Sequence, residues 1–311
     1  MILTKEQIND IKEKHSLPRV VTDKTITTYI GSSDDISYAL YTITPESTTW
    51  IYSNSSKESN YVEKYYILAG SLKIVCWNSH KILQPGDVLD SDMVNTLVTC
   101  HAKEEVQILI EMSKECFNQN FTERGIIHRD ALRIQEVDGY TYHHCARIRD
   151  YSIELWKRLN PNKEGVRRLC LGAYFHDIGK LAIPIEILNK PGKLTEDEWK
   201  IVKMHTTLGA EIMRNHEISC IREAAFIVEQ HHERYDGKGY PFGLMGEEIS
   251  LEASIVSVVD AFDAMTTNRV YRGAMSFEEA ILEIKRGRGT QFNPKVLDEF
   301  LEMLQEKNNQ W

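Results

Sequence analysis

The second half of the chain holds residues whose types suit metal ions. They are imidazoles and carboxylates at wide spacing: His144, His176, Asp177, His205, His231, His232 and Asp260. Mixed histidine and carboxylate ligands suit iron, manganese or zinc, whereas a cysteine-rich set would indicate structural zinc. Because Asp177 directly follows His176, its carboxylate is a candidate to bridge two cations. Two bridged cations clamp a phosphodiester and lower the pKa of bound water toward neutrality.

A lysine stands close to this doublet in the sequence. Lys180 comes four residues after His176, so on a helix the two side chains share a face. Its ammonium group would balance the charge that develops on phosphoryl oxygens. We therefore predict Asp177 and Lys180 as the catalytic residues.

The spacing of histidines is not decisive by itself. A single histidine is usually solvated or is a hydrogen-bonded core residue. That interpretation is applied to His15, His80, His101, His128, His143 and His216. In a chain with 11 histidines, neighbouring pairs also arise by chance, so a metal site and an ordinary distribution both stay open at this point.

The segment HHERYDGKGYP, residues 231–241, adds a second kind of signal. Gly237, Gly239 and Pro241 predict a tight turn directly after a helix that carries two candidate ligands. Glycine lets a backbone approach a ligand closely, and Tyr240 offers an aromatic face for a base. An ordinary turn that ends a helix is the alternative.

In this order and spacing, the residues of the second half resemble the HD-GYP family of cyclic di-GMP phosphodiesterases. The resemblance covers residues 131–311. Its landmarks are His144-x-x-Arg147, His176-Asp177-x-x-Lys180, His205-x-x-x-Gly209, HHERYDGKGYP, and Asp260 at the start of DAFDAMTTNRVYR.

The resemblance implies a role for each of these residues. The seven imidazoles and carboxylates would bind two divalent metal ions, iron or manganese in preference to zinc or nickel, with Asp177 as the bridge. Lys180 would contact the scissile phosphate. The other substrate-binding residues would be Gly239, Tyr240, Pro241, Arg269 and Arg272. Some family members have a glutamate one turn before the first metal histidine that helps to hold a third metal; here Tyr140 stands there, which favours two.

Helical periodicity is expected to position these residues. From residue 131 onward, apolar side chains recur at three-to-four spacing, which predicts an all-α bundle of the HD type. Thr195 and Glu198 form a capping box ahead of a helical segment that extends to Asn215. Ser276 is predicted as an N-cap and Pro294 as a first-turn residue. Further helices are predicted at 219–232, 250–267, 276–286 and 294–306.

The first 115 residues predict a different fold class. Short runs rich in valine, isoleucine, threonine and tyrosine alternate with turn residues, as in a β-sandwich or jelly-roll barrel. YYILAGSLKI and LQPGDVL resemble a cupin, although the usual metal histidines are missing from these motifs. A cyclic-nucleotide-binding barrel is the alternative. We expect a metal-free barrel that either senses a small-molecule ligand or forms a homodimer, with a barrel that only dimerises as the simpler interpretation.

Length and composition indicate the number of domains, the class of partner and the compartment. The 311 residues suggest two domains, and we predict a β domain at 1–115, a linker at 116–130 and a helical domain at 131–311. A net charge of −9 argues against polymeric nucleic acid as a partner. Six cysteines without a C-x-x-C pair, no apolar run of membrane-spanning length and a charged N-terminus predict a cytoplasmic protein with no membrane segment.

Together these features predict a metal-dependent hydrolase that opens cyclic di-GMP to linear pGpG, with continuation to GMP left open. Two alternatives stay in place. The chain could hydrolyse another cyclic dinucleotide such as cyclic GMP-AMP, or it could be a non-catalytic receptor for a cyclic dinucleotide.

Overall fold

The structure, a computed structural model, describes most of the chain. The described residues are 19–21, 24–33, 35–51, 63–76, 79–90, 98–114, 133, 142–160, 165–216, 218–267 and 273–308. The chain divides into two compact units, Met1–Arg129 and Asp130–Trp311. The expected two-domain organisation is thus present, while the linker proposed at 116–130 lies outside the described residues and stays a prediction.

The first unit contains ten described strands in two antiparallel sheets. They are β1 (Arg19–Val21), β2 (Thr25–Ser33), β3 (Ile36–Ile43), β4 (Ser47–Ile51), β5 (Glu63–Ala69), β6 (Leu72–Cys76), β7 (Ser79–Leu83), β8 (Val88–Asp90), β9 (Val98–Ala102) and β10 (Val106–Ser113). One sheet has the order β1-β2-β3-β10-β5-β8 and the other β4-β9-β6-β7. The first sheet places β3 beside β10 and the second places β4 beside β9, so strands distant in sequence are neighbours in each sheet, as in the predicted cupin-like jelly roll.

Alternation along the strands builds the core of this unit. In β9 every second residue is buried, and in β10 Val106, Ile108, Ile110 and Met112 alternate in the same way into the main core. Leu109 is also buried, but it packs in a separate cluster with Ile30 and Leu40. In the six-stranded sheet, Ile108 of β10 lies opposite both Tyr41 and Ile67, so large side chains meet on one face. No pairing among the described strands joins the two sheets into a closed barrel.

The second unit is helical, as predicted. Its described helices are α1 (Tyr142–Leu159), α2 (Val166–Tyr174), α3 (Ile185–Leu188), α4 (Glu196–Lys203), α5 (His205–Arg214), α6 (Ser219–Glu223), α7 (Ala225–Gln230), α8 (Leu251–Thr266), α9 (Phe277–Arg286) and α10 (Pro294–Asn308). Two 3-10 turns, Ile178–Ala182 and Gly246–Glu248, interrupt the series. Among the described residues, no helix is long and apolar enough to cross a membrane.

Local sequence signals explain several helix ends. Thr195 and Glu198 form the predicted capping box of α4, and Ser276 forms another with Glu279 at α9. Pro294 is the first residue of α10, where its missing N–H costs nothing. These three predictions are confirmed.

The segment from 195 to 215 departs from the single helical segment expected there. It forms two helices, α4 and α5, which meet at Met204. The side chains of His205, Thr206 and Thr207 bond the carbonyls of the residues three positions earlier. Such side-chain bonds compete with the helical ladder and bend it. The predicted helix at 219–232 is likewise divided, at Ala224, into α6 and α7.

Two glycines let the 3-10 turn after α2 lie directly on α5. A Cβ atom on Gly179 would lie 1.8 Å from the carbonyl oxygen of His205, and one on Gly209 would lie 3.0 Å from the nitrogen of Gly179. Only glycine allows two backbones to approach this closely. The contact brings the residue before this turn, Asp177, next to His205.

Candidate metal centre

Three of the predicted ligands share one local geometry. His176 lies just after α2, and His231 just after α7. His205 lies just after α4 and is the first residue of α5. In each, Nδ1 bonds the carbonyl oxygen three residues earlier, at 2.9 Å for His176, 2.7 Å for His205 and 2.6 Å for His231. The ring thus satisfies a carbonyl at the helix end and leaves Nε2 as the atom with the lone pair.

The Nε2 atoms of these three histidines are buried and form no hydrogen bond within the described structure. A buried polar atom normally has a partner, and leaving one without costs free energy. In the neutral rings of His205 and His231, Nε2 offers only a lone pair, so a cation is the group that would satisfy both atoms. The residues present therefore fit divalent metal ions.

All seven predicted ligands lie in two adjacent groups. One group contains Asp177, His205, His231 and His232, and the other contains His144, His176 and Asp260. Within each group the candidate ligand atoms lie within 4.8 Å of one another. The ring centroids of His176 and His231, one from each group, are 5.4 Å apart. The structure thus brings together side chains from sequence positions more than 100 residues apart.

The carboxylate of Asp177 lies between the two groups. Its Oδ2 is 3.1 Å from Nε2 of His176, and its Oδ1 is 3.5 Å from Nε2 of His205. One oxygen therefore faces each group, as a carboxylate that bridges two metal ions requires. The second carboxylate, Asp260, has Oδ1 3.7 Å from His144 and 3.9 Å from His176.

A carboxylate behind His144 fixes the orientation of that ring. Asp263, one turn after Asp260 on α8, lies 2.7 Å from Nδ1 of His144 through Oδ2. Arg147 donates to both oxygens of Asp263, and Thr267 adds a further bond. A ligand histidine held by a carboxylate in this way keeps its other nitrogen directed at the metal. His144 lies in the first described turn of α1, and its ring receives this support from a side chain instead of a carbonyl at a helix end.

Burial and neighbouring charges shift the pKa values of several candidate ligands. Burial lowers the pKa of His205 and of His231, and it lowers the pKa of His232 to about 4, with neighbouring imidazoles adding to the last two shifts. Burial opposes protonation of His176, but Asp177 and Asp260 outweigh it and raise its pKa to about 9. Burial acts to raise the pKa of Asp177, but Lys180 and His176 hold it well below its ordinary value. The site therefore keeps most ligands in the deprotonated form that binds metal.

Lys180, in the 3-10 turn after α2, lies beside Asp177, the carboxylate predicted to bridge two metal ions. Its Nζ donates to Oδ2 of Asp177 over 2.8 Å. The side chain is largely buried, so this positive charge lies in the site and not in solvent. An ammonium group here can bind an anionic oxygen next to the metal positions.

The turn that carries Gly239, Tyr240 and Pro241 packs tightly against its own beginning. A Cβ atom on Gly239 would lie 2.3 Å from the nitrogen of Arg234 and 2.5 Å from Cα of Glu233. Glycine is therefore required at this position. The Tyr240–Pro241 peptide bond is cis.

Glu233 holds this turn, a role that the sequence interpretation missed. Its buried carboxylate, 2% exposed, accepts three backbone N–H groups, from Phe242 at 2.7 Å, Gly243 at 3.1 Å and Leu244 at 3.1 Å. Those bonds close the loop back onto the residue that follows His232. The only signal was an acidic residue inside a glycine-rich segment, which on its own predicts a solvated side chain.

Tyr240 lies over the ligand histidines. Its ring centroid is 5.0 Å from that of His232, with the planes tilted by 33°, and 6.4 Å from that of His205. The Tyr240 ring also contacts a cation, because Nζ of Lys203 lies 5.7 Å from its centroid. The predicted turn is thus next to the metal centre.

Some predictions cannot be placed. Arg269, Arg272 and Tyr140 lie outside the described residues, so their roles stay predictions. Of the histidines assigned to ordinary roles, His80, His101 and His216 belong to neither ligand group; His101 instead bonds Thr48, and His216 bonds the nitrogen of Ile218. His15, His128 and the side chain of His143 also lie outside the described part.

Similarity to known proteins extends over more than half of the chain. The HD domain family model matches residues 108–296. The chain is 41% identical over 179 residues to the cyclic di-GMP phosphodiesterase response regulator RpfG of Xanthomonas campestris. These residues make up 58% of this chain and 47% of that protein. It is 38% identical over 199 residues to 3'3'-cGAMP-specific phosphodiesterase 2 of Vibrio cholerae, covering 64% of this chain and 37% of that protein.

The chain spans about half or less of the length of these curated relatives. Among solved structures, a cyclic GMP-AMP phosphodiesterase of V. cholerae matches with a TM-score of 0.45 and 18% identity, over 58% of this chain and 48% of that one. The family model covers more than half of the chain. The chain therefore belongs to the HD domain family, and its relatives and its Gly239-Tyr240-Pro241 turn place it among the HD-GYP proteins.

Proposed function

We propose that the helical unit hydrolyses a cyclic dinucleotide, cyclic di-GMP in the first place, to its linear form. The observation that carries this proposal is the position of Asp177, whose two oxygens face two separate groups of ligands. That arrangement suits a pair of metal ions, which is a common device for hydrolysing phosphodiesters.

The seven ligands would hold two divalent ions, one in each group. Histidine mixed with carboxylate favours iron or manganese, and zinc or nickel would also bind such a set. When bound, the ions supply an activated water and neutralise charge on the phosphate. Tyr140 in place of a carboxylate supports two ions and a linear dinucleotide product, with further cleavage to GMP as the alternative.

The side chains around the ligands would position the substrate. Lys180 would bind an oxygen of the scissile phosphate and balance the charge that builds on it during attack. Tyr240 and Pro241 would line the cleft beside the phosphate, with Gly239 keeping the backbone close. Arg269 and Arg272 would bind phosphate or guanine through planar guanidinium groups.

A second substrate has specific support. One relative of similar identity is named a 3'3'-cGAMP-specific phosphodiesterase, and the other is named a cyclic di-GMP phosphodiesterase. Both molecules are cyclic dinucleotides with two phosphates, so the metal centre fits either one. Base recognition outside the metal groups would decide between them.

Direct assay of the full chain tests the proposal. Protein loaded anaerobically with Fe(II) or Mn(II) is offered cyclic di-GMP, cyclic GMP-AMP and cyclic di-AMP, and products are separated by chromatography. We expect turnover of cyclic di-GMP to pGpG and dependence on metal. Tight binding without turnover under both metals would show a non-catalytic receptor. Faster turnover of cyclic GMP-AMP would assign the second substrate.

The β unit would regulate or assemble the protein. Its lack of cupin histidines supports a metal-free role, either sensing a small molecule or forming a homodimer. Measurement of oligomeric state by light scattering, with and without the first 115 residues, separates dimerisation from sensing.

A further inference from the structure

We propose that Trp199 and Lys203 on α4, together with Tyr240, form a subsite for the second nucleotide of the cyclic dinucleotide. Trp199 would stack on the base, and Lys203 would bind the phosphate that is not cleaved. The inference rests on the proposed function and extends it to the half of the substrate that the metal centre does not reach.

The subsite is continuous with the metal centre through aromatic rings. Tyr240 packs on His232 at 5.0 Å between centroids, and the ammonium of Lys203 lies 5.7 Å from the Tyr240 centroid. A substrate phosphate at the ligands therefore has Tyr240 and then Lys203 beside it. A cyclic dinucleotide carries a second phosphate and a second base, which must lie on the surface next to the first.

Lys203 differs from the neighbouring lysines in its partners. Lys200 pairs with Asp197, and Lys190 pairs with Glu198, each at 2.7 to 2.8 Å. Within the described part of the chain, Lys203 pairs with no carboxylate, and its ring contact is with Tyr240. A cation beside an aromatic ring and a metal site is suited to a phosphate, although a lysine at a helix C-terminus also stabilises the helix.

Trp199 supplies the surface for a base. It lies one turn before Lys203 on α4, so the two side chains point to the same side of the helix. Its side chain is 48% exposed, which is unusual for so large an aromatic residue. Base stacking on tryptophan is strong and tolerates any base, so this subsite would add affinity for the substrate without selecting the base.

Affinity for a stable substrate analogue tests the subsite without turnover. Metal-loaded full chain is titrated with a bis-phosphorothioate analogue of cyclic di-GMP by calorimetry. We expect Trp199→Ala and Lys203→Met to weaken binding about tenfold each, within the range of one stacking or charged contact. Trp199→Phe and Lys203→Arg, which keep a ring or a charge, should restore most of the affinity. Lys200→Met on the same helix should bind like the original chain.

A fluorescence titration gives an independent readout. Stacking of a base on Trp199 should quench tryptophan emission in the original chain, and Trp199→Phe should lose that quenching while it still binds. Metal content and melting temperature are measured for each variant, and a variant with altered metal is replaced by Lys203→Glu or Trp199→Leu. Affinities within twofold for both Trp199→Ala and Lys203→Met would overturn the subsite.

Steady-state kinetics separate this failure from failure of the proposed function. The ratio of KM for cyclic di-GMP to KM for bis(p-nitrophenyl) phosphate, which has one phosphate and no second nucleotide, should rise about tenfold in Lys203→Met. An equal rise in both KM values would contradict a subsite for the second nucleotide. No turnover of any cyclic dinucleotide by the original chain would reject the proposed function, whereas the calorimetric comparison would still decide the subsite.

Discussion

The two units of the molecule bury polar side chains in opposite ways. In the β unit, buried hydroxyls are paired within the unit, as Tyr41 is with Thr49 at 3.0 Å. In the helical unit, three buried imidazoles direct Nε2 atoms without hydrogen bonds into one small region. Folding alone favours the first arrangement, since polar atoms buried without partners cost free energy. A cation would satisfy the second arrangement, so the contrast supports a metal site in the helical unit.

The β unit has one exception, Glu63 at the start of β5. Its side chain is 1% exposed; one oxygen accepts a hydrogen bond from the hydroxyl of Tyr65, and the other has no hydrogen-bond partner in the described structure. This carboxylate is not a second metal site, because its one free oxygen cannot hold a metal ion, whereas the helical unit brings seven ligands together. The comparison therefore predicts opposite effects of removing a buried carboxylate charge. In the helical unit it should reduce metal binding and turnover, and in the β unit it should increase stability.

The largest effect is expected for Asp177→Asn. An amide cannot bridge two cations as a carboxylate does, so we expect the bound metal to fall from two ions to one or none. Turnover should fall about 1000-fold or more, since both metal positions share this residue. Metal analysis of anaerobically purified protein and the product assay measure the two effects together.

Asp197→Asn is the matched control for that substitution. Asp197 is an exposed carboxylate on α4 that pairs only with Lys200 among the described residues. It should keep metal and turnover. If Asp177→Asn retained two metal ions and normal rates, the bridging role would be wrong, and the contrast between the units would lose its explanation.

Metal removal should destabilise one unit and spare the other. Ligand binding to the folded state adds about 3 to 4 kcal/mol at 100 to 1,000 times the dissociation constant. Chelation should therefore speed amide hydrogen exchange by about 100-fold or more in α2, α5 and α7, which position ligands. The strands β3 and β10 should exchange at an unchanged rate. Mass spectrometry of peptides measures both, and equal acceleration in the strands would contradict a site confined to the helices.

A smaller effect is expected for Asp263→Asn. Asp263 touches His144 and Arg147 and is not itself in either ligand group. Loss of such a supporting carboxylate typically costs about 10- to 100-fold in metal affinity or activity. We expect weaker binding of one ion, visible as a metal content between one and two, with lower kcat and little change in KM. A raised KM with full metal content would instead assign Asp263 to substrate binding.

Sequence patterns predicted the parts of this site that depend on residue type and order. His176, Asp177 and Lys180 were identified because a doublet and its neighbour have a direct chemical meaning. The clamp by Glu233 was missed because its three N–H partners come from a loop that folds back nine to eleven residues later. The bend at Met204 was missed because apolar periodicity continues through it, while the histidine and threonine bonds that cause it compete locally with the helix. Long-range folding and side-chain competition leave no periodic trace in the sequence.

The smallest effect is expected in the β unit, for Glu63→Gln. Glutamine keeps the size of the side chain and an acceptor for Tyr65 but cannot carry a charge. Because no described cation pairs with Glu63, removal of a buried charge should raise the free energy of unfolding of this unit by about 1 kcal/mol at pH 7. Glu111→Gln, on the neighbouring strand β10, is the control, since Glu111 is only partly buried and its partner Tyr66 lies 3.4 Å away. Urea denaturation followed by hydrogen exchange in β5 and β10 compares the two variants. A loss of stability in Glu63→Gln would mean that the carboxylate pairs with a positive group. The β unit would then resemble the helical unit, because its buried charge would have a binding partner.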